Sequence, residues 1–188
     1  MRLLVTGATG SGTTTLGRAL ASSYSVPHAD TDDYLWMPTS PPYIRKRPAA
    51  RRVALMASVF LPRESWILSG SVIGWDRELV DLLDGVVFLA VDSTIRMGRL
   101  HDRQVLRYGA KIEDGGVNEA AHRDFMDWAR GYDDDGSDVS RTAHEKWLSG
   151  LLCPILRLDS ADSVGVMLTT VDRWFCEHGN GDPGILAG

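Results

Sequence analysis

Gly7-Ala8-Thr9-Gly10-Ser11-Gly12-Thr13-Thr14-Thr15 separates an apolar run, Leu3-Leu4-Val5, from a helical pattern, Leu16-Gly17-Arg18-Ala19-Leu20-Ala21. A strand, a glycine-rich turn and a helix N-terminus in that order build an anion cradle. Successive backbone N–H groups point inward there, and the helix dipole favours negative charge. Gly7 and Gly12 hold the spacing of the phosphate-loop pattern G-x-x-x-x-G-K-[ST], and Thr14 stands at its magnesium-binding hydroxyl. Thr13 stands where that pattern has lysine. A plain glycine turn is the alternative reading. The flanking strand and helix favour the cradle, with Gly7, Gly10, Ser11, Gly12, Thr13, Thr14 and Thr15 as the residues that hold phosphate.

The missing lysine sets the question for the rest of the chain. On a transferring phosphoryl group a lysine supplies on the order of 2 to 4 kcal/mol, so its loss slows transfer roughly 30- to 1000-fold. Either an arginine or lysine from elsewhere fills the gap, or nucleotide is bound without being turned over.

The chain has 188 residues, 44% of them hydrophobic, enough for one domain with a full core and too few for two typical ones. Helix-forming and strand-forming runs alternate, which predicts α/β architecture. The net charge of -5 argues against a general nucleic-acid binder, although the basic residues cluster and leave local anion sites open. Cys153 and Cys176 are too few and too isolated for a disulfide framework or a zinc site, and read as packing residues in a reduced compartment. The apolar run Val86-Val87-Phe88-Leu89-Ala90-Val91 is far short of a membrane span, and Met1-Arg2-Leu3-Leu4-Val5 meets glycine too soon for a signal peptide. The expectation is a soluble cytoplasmic protein with no nucleic-acid or membrane partner.

Val26-Pro27-His28-Ala29-Asp30 predicts a second strand ending in Asp30-Thr31-Asp32-Asp33. Ligands of open parallel sheets bind outside the carboxyl ends of strands, which puts these acids beside the phosphate loop. Asp30 is then the candidate magnesium carboxylate, with Thr14, and Asp32 the candidate acceptor of an attacking hydroxyl's proton. The competing reading is an acidic turn that caps the next segment. Tyr34 to Tyr43 is interrupted by prolines and predicts an irregular loop; its aromatics, Trp36 among them, form either one wall of an acceptor pocket or the cover of a core. Arg45-Lys46-Arg47-Pro48 leads into a helix from about Ala49 to Phe60 that carries Arg51 and Arg52. This basic group either receives an anionic substrate, supplies the missing cation, or is a solvated helix start.

Ser65 to Gly70 predicts the third strand. Ser69 takes the place at which many phosphate-loop proteins have a magnesium-binding aspartate, which shifts that role to Asp30. Gly70 and the loop to Trp75 permit close approach of a ligand. A short helix from Asp76 to Leu83 precedes a continuous apolar strand from Gly85 to Val91. A helix capped by Ser93 or Thr94 runs to about Tyr108, with Arg96, Arg99, Arg103 and Arg107 along one face. An ordinary solvated stripe is the alternative to phosphate contact, for which Arg99 and Arg103 are the candidates. A glycine-containing loop, a helix from about Glu119 to Arg130, and a helix capped by Ser137 or Asp138 and reaching Leu148 complete an insertion that reads as a lid, with Arg130 and Arg141 as its phosphate ligands. His144 reads as a helix-face residue. Cys153 to Asp159 predicts the last strand, Asp159-Ser160-Ala161 a purine-contacting turn, and 162 to 176 the last helix. The tail from 178 to 188 is expected to fray.

Taken together, residues 2 to 177 resemble the small phosphate-loop kinases of the adenylate kinase and shikimate kinase group. The phosphate loop and Asp30-Thr31-Asp32 are similar to the D-x-D acceptor site of shikimate kinases. Arg99-Leu100-His101-Asp102-Arg103 is similar to the arginine motif opening the adenylate kinase lid, and Arg130 and Arg141 to that lid's closing arginines. Gly-Ser-Gly-Thr-Thr-Thr, Asp-Thr-Asp-Asp-Tyr-Leu-Trp and Ser-Gly-Ser-Val-Ile-Gly-Trp together resemble a bacterial group of adenylate-kinase-like proteins without the loop lysine. The resemblance implies a P-loop NTPase fold of α/β class: a five-stranded parallel sheet with helices on both faces, one domain over 1–177 and a helical lid at about 93–149. It also implies ATP as donor, Mg2+, and a small-molecule phosphoryl acceptor.

The expected site is Asp32, Arg99 and Arg103 for catalysis, Thr14 and Asp30 for the metal, and the phosphate loop with Arg130 and Arg141 for the nucleotide. Asp32, Asp33, Trp36, Arg47, Arg52, Gly70 and Trp75 are expected around the acceptor. A nucleoside monophosphate or a small hydroxylated metabolite is the expected acceptor. The alternative from another class is a nucleotide-binding switch with little or no phosphoryl transfer.

Overall fold

The structure, a computed structural model, describes residues 1–40, 42–75, 77–134 and 139–178. Five strands, β1 (Arg2–Gly7), β2 (His28–Asp30), β3 (Trp66–Ser69), β4 (Gly85–Ala90) and β5 (Ile155–Asp159), form one parallel sheet in the order β2-β3-β1-β4-β5. The chain leaves β1 toward one edge and β3 toward the other, so a crevice opens at the carboxyl ends of these two strands. The phosphate loop follows β1 directly.

Side chains alternate across the central strand. Leu4 joins Leu68, Val86 and Phe88 under α3 (Ala49–Val59), α4 (Arg77–Val80) and α7 (Arg141–Ser149), where Met56, Leu79 and Leu148 close that face. Leu3 and Val5 join Ile67, Val87 and Leu89 under α1 (Thr13–Ser23) and α8 (Val164–His178), through Leu16, Leu20, Met167 and Val171. The two-sided burial explains why β4 is a continuous apolar run. A separate small cluster, Leu100, Met126 and Ala129, joins α5 (Ser93–Tyr108) to α6 (Glu119–Arg130). Among the described residues no helix is long and apolar enough to cross a membrane.

Several boundaries differ from expectation. The second strand begins at His28, because the Val26 amide turns back to the Ala21 carbonyl on α1 while the Pro27 carbonyl accepts from Ile67. The stretch after Asp30 is not irregular from its start: α2 (Thr31–Leu35) forms first, because the Asp30 side chain accepts from the Asp32 amide and caps it. The chain then folds on itself, with Met37 donating to Arg45 and Arg47 to Leu35. The caps of two helices also move. Asp92 caps α5, accepting from the Thr94 amide at 2.8 Å, in place of Ser93 or Thr94. Ser140 caps α7, accepting from Ala143 at 3.1 Å, while the expected caps at 137 and 138 and the tail residues from 179 onward lie outside the described residues.

Candidate functional site

The cradle is built by backbone geometry. The Ser11 amide donates to the Ala8 carbonyl at 2.9 Å and closes the turn. Gly12 takes a left-handed conformation, φ 92° and ψ 18°, and a β-carbon there would meet nothing within 4 Å, so it borders open space. Gly10, φ 88°, packs the other way, onto α5: a β-carbon would come 2.8 Å from Leu100 Cγ and 3.0 Å from the Arg96 carbonyl. No side chain caps α1, so the first amides of that helix keep their donors. The Ser11 hydroxyl is buried and has no hydrogen-bond partner among the described residues. Concave donors, a helix N-terminus and an unpaired buried hydroxyl together fit a phosphate group.

Thr14 Oγ1 donates to Asp30 Oδ2 at 2.6 Å, and Asp30 Oδ1 accepts from the Asp32 amide at 3.0 Å. Asp30 thus caps α2 with one oxygen and meets Thr14 of the phosphate loop with the other. Among the described residues no group of three or more His, Cys, Asp and Glu could hold a metal ion. One hydroxyl and one carboxylate suit magnesium, which completes its shell with phosphate and water oxygens.

Ser69, at the place of the usual aspartate, is fully buried. His28 Nε2 lies 2.8 Å from its Oγ, and that Oγ donates to the Thr13 carbonyl at 3.2 Å. Its work is to tie α1 to β2 and β3. Burial holds the His28 pKa below its ordinary value, with Arg18 acting the same way and Asp30 and Asp33 against it.

Asp32 is exposed by surface area, yet enough protein surrounds its carboxyl to raise the pKa above the ordinary value. The negative charge of Asp30 acts in the same direction; a hydrogen bond from Trp36 Nε1 at 3.2 Å and the charge of Arg103 act against it. Arg103 is likewise open to solvent but crowded. Enclosure and then Arg107 lower its pKa, while Asp32, Tyr43 and Asp30 oppose them, and the guanidinium remains a cation. Arg107 lies over the Tyr43 ring at 5.5 Å, Tyr43 meets Trp36 edge-on at 5.9 Å, and Lys46 lies over Trp36 at 5.7 Å. Acids beside the phosphate loop therefore grade into aromatic rings and then into cations.

The remaining expected residues are spread more widely. Arg47 donates through Nε to the Tyr34 carbonyl at 2.9 Å and through Nη2 to the Trp36 carbonyl at 3.4 Å. Arg52 donates to the Arg47 carbonyl at 2.7 Å and lies over Trp75 at 5.9 Å. Both arginines brace the chain around the site. Gly70 donates to the Val5 carbonyl at the exit of β3, and Asp33 is an exposed residue of α2.

The arginine stripe of α5 divides. At about 100° per residue, positions 96, 103 and 107 lie within about 20° of one line, and 99 lies about 60° away. Arg99 accordingly turns to the exit of β5, donating to the Ser160 carbonyl at 2.7 Å and to Ser160 Oγ at 3.1 Å. Arg130 pairs with Asp127 on its own helix, and Arg141 donates to Asp133 Oδ1 at 2.6 and 3.1 Å.

No family model matches the chain. The uncharacterized protein YqaC of Bacillus subtilis (strain 168) is 39% identical to it over 161 residues, which cover 85% of this chain and 89% of that one. The chain belongs to the YqaC family. Among solved structures, shikimate kinase from Bacteroides thetaiotaomicron has a TM-score of 0.55 at 20% identity, over 93% of this chain and 98% of that one. Shikimate kinase from Aquifex aeolicus has 0.53 at 14%, over the whole of both chains. A sugar kinase from Janibacter has 0.51 at 14%, over 100% of this chain and 98% of that one. At these identities they share the fold, that of the phosphate-loop kinases.

In this YqaC-family chain the sequence offered Tyr43 and Lys46 only as members of an aromatic loop and a basic group, and gave Arg96 and Arg107 no role of their own within the stripe. The stripe spacing held the signal for both arginines. Nothing in the sequence said which neighbour each would face.

Proposed function

We propose that the protein is an ATP- and Mg2+-dependent phosphotransferase acting on a small hydroxylated acceptor. The observation that carries this reading is the Thr14–Asp30 hydrogen bond, 2.6 Å, beside a glycine cradle that fits phosphate. Magnesium, when bound, draws charge from the phosphate oxygens, and Thr14 and Asp30 are the residues that would hold it. Backbone donors from Gly7 to Thr15 bind the donor's phosphates. Asp32 accepts the proton of the attacking hydroxyl, and Arg103 offsets charge on the transferring group in place of the lysine that Thr13 replaces. Small-metabolite kinases among the fold neighbours favour a hydroxylated metabolite over a nucleoside monophosphate as acceptor.

The second reading, a nucleotide-binding switch without useful transfer, is favoured by one arrangement. Arg99 is committed to Ser160, and Arg96 to the Thr9 and Ala129 carbonyls and Asp133, so two of the four stripe cations serve the protein itself. The separating experiment is direct transfer of labelled γ-phosphate from ATP with magnesium to panels of nucleoside monophosphates and of hydroxylated acids and sugars. The expected outcome is a labelled product from the second panel. Nucleotide binding with no product from either panel selects the switch.

A further inference from the structure

Arg96 is 1% exposed, and the phosphate loop lies against it. Its Nη1 donates to the Ala129 carbonyl at 2.8 Å and to the Thr9 carbonyl, inside the loop, at 3.4 Å. Its Nη2 donates to Asp133 Oδ2 at 3.2 Å, and the guanidinium lies over the Tyr132 ring at 5.3 Å. A cation buried this deeply is ordinarily paired with an opposite charge. Asp133 is shared: its other oxygen accepts from Arg141. Among the described residues, the two guanidinium groups and the one carboxylate of this cluster leave one net positive charge. Arg141 is 49% exposed and its charge is screened by water, whereas Arg96 is shielded from it.

We infer that Arg96 is a positioning residue that charges the phosphate loop from behind, through the Thr9–Gly10 peptide, and supplies positive potential that Thr13 cannot. A charged donor on the Thr9 carbonyl polarises that peptide, and the N–H at its other end belongs to Gly10, so the loop becomes a stronger donor. The guanidinium need not touch phosphate to do this. The inference rests on the reading that the loop binds phosphates, and it does not require that phosphate be transferred.

A bond that merely ties α5 to α6 makes affinity follow stability; a charge acting on the loop separates the two. The test is the affinity for Mg-ADP and for inorganic triphosphate, by calorimetry, beside the melting temperature. Asp133→Asn is compared with its parent in an Arg141→Ala background, so that a freed Arg141 cannot account for any gain. With the neutralising carboxylate removed, the protein is expected to melt lower yet bind about three- to tenfold tighter. Arg96→Gln is expected to bind about tenfold weaker or worse, and if it does not fold, the Asp133→Asn comparison decides alone. Unchanged or weaker binding in that comparison overturns the inference and leaves the phosphotransferase reading intact. Binding in the expected order without transfer to any acceptor does the reverse. A wild-type protein that binds neither ligand ends both.

Discussion

As the proposed base, Asp32 would set catalysis against stability. Enclosure and then the Asp30 charge raise its carboxyl pKa above the unfolded value. Such a group favours the folded state below its unfolded pKa, and the contribution is lost as pH rises through the folded one. At neutral pH the charged Asp32 therefore weighs against folding, and Asp32→Asn is expected to melt at the same temperature or higher at pH 7, with the difference shrinking on acidification. Transfer is expected to fall by about 100-fold or more, and the acid limb of the wild-type kcat/KM profile to lie above the ordinary carboxylate range. An Asp32→Asn protein that melts lower at pH 7 would contradict the sign of this argument. Arg103→Ala is expected to cost on the order of 100-fold in kcat, while Arg45→Ala, an exposed change outside the Asp32–Arg103 cluster, stays within about twofold. A loss from Arg103→Ala confined to KM would make Arg103 a binding group only. At this scale the glycine turn and the position of Asp30 beside it were legible in the sequence, because they follow from local spacing and from the order of strands. Arg99 and Arg103 were not separable, because helical spacing names a face and leaves its neighbour unnamed.

The helix that carries the cradle packs most closely on the sheet at Gly17. A β-carbon on Gly17 would clash with Ser69 Oγ and come 3.0 Å from His28 Nε2. Alanine improves helix propensity by about 1 kcal/mol, and overpacking typically costs about 1 to 3 kcal/mol. Gly17→Ala is thus expected to lower the denaturant midpoint and to weaken nucleotide binding with it, since α1 also presents the loop amides. A higher midpoint with unchanged binding would mean that α1 is free to shift. Element types along the chain were readable from periodicity and apolar runs: α6 spans Glu119–Arg130 as expected. Cap positions were less readable, because Asp92, Ser93 and Thr94 all have the right chemistry, and backbone geometry decides which side chain reaches a free amide.

Across the molecule, α7 is held to the sheet by a buried histidine. His144 packs on Phe88 and Tyr132, its Nδ1 lies 3.1 Å from the Tyr132 hydroxyl, and its Nε2 has no partner among the described residues. Burial holds its pKa below the ordinary 6.5, with the Ser140 backbone and Glu145 opposing. The resulting stability is present above the unfolded pKa and is lost as pH falls through the folded one. The melting temperature is expected to drop on acidification below neutrality, and His144→Phe to lose that part of the pH dependence; an unaltered pH profile in the variant would place the acid sensitivity elsewhere. The sequence by itself determined the α/β class, the cradle after the first strand and the carboxylates placed beside it, since each rests on neighbours in the chain or on the order of strands. Tertiary structure alone decided that Ser69 locks α1, that Arg99 leaves for Ser160, and that Arg96 lies behind the loop. Those contacts join residues 56 to 87 positions apart, and a pattern confined to one element cannot show which distant surface it will meet.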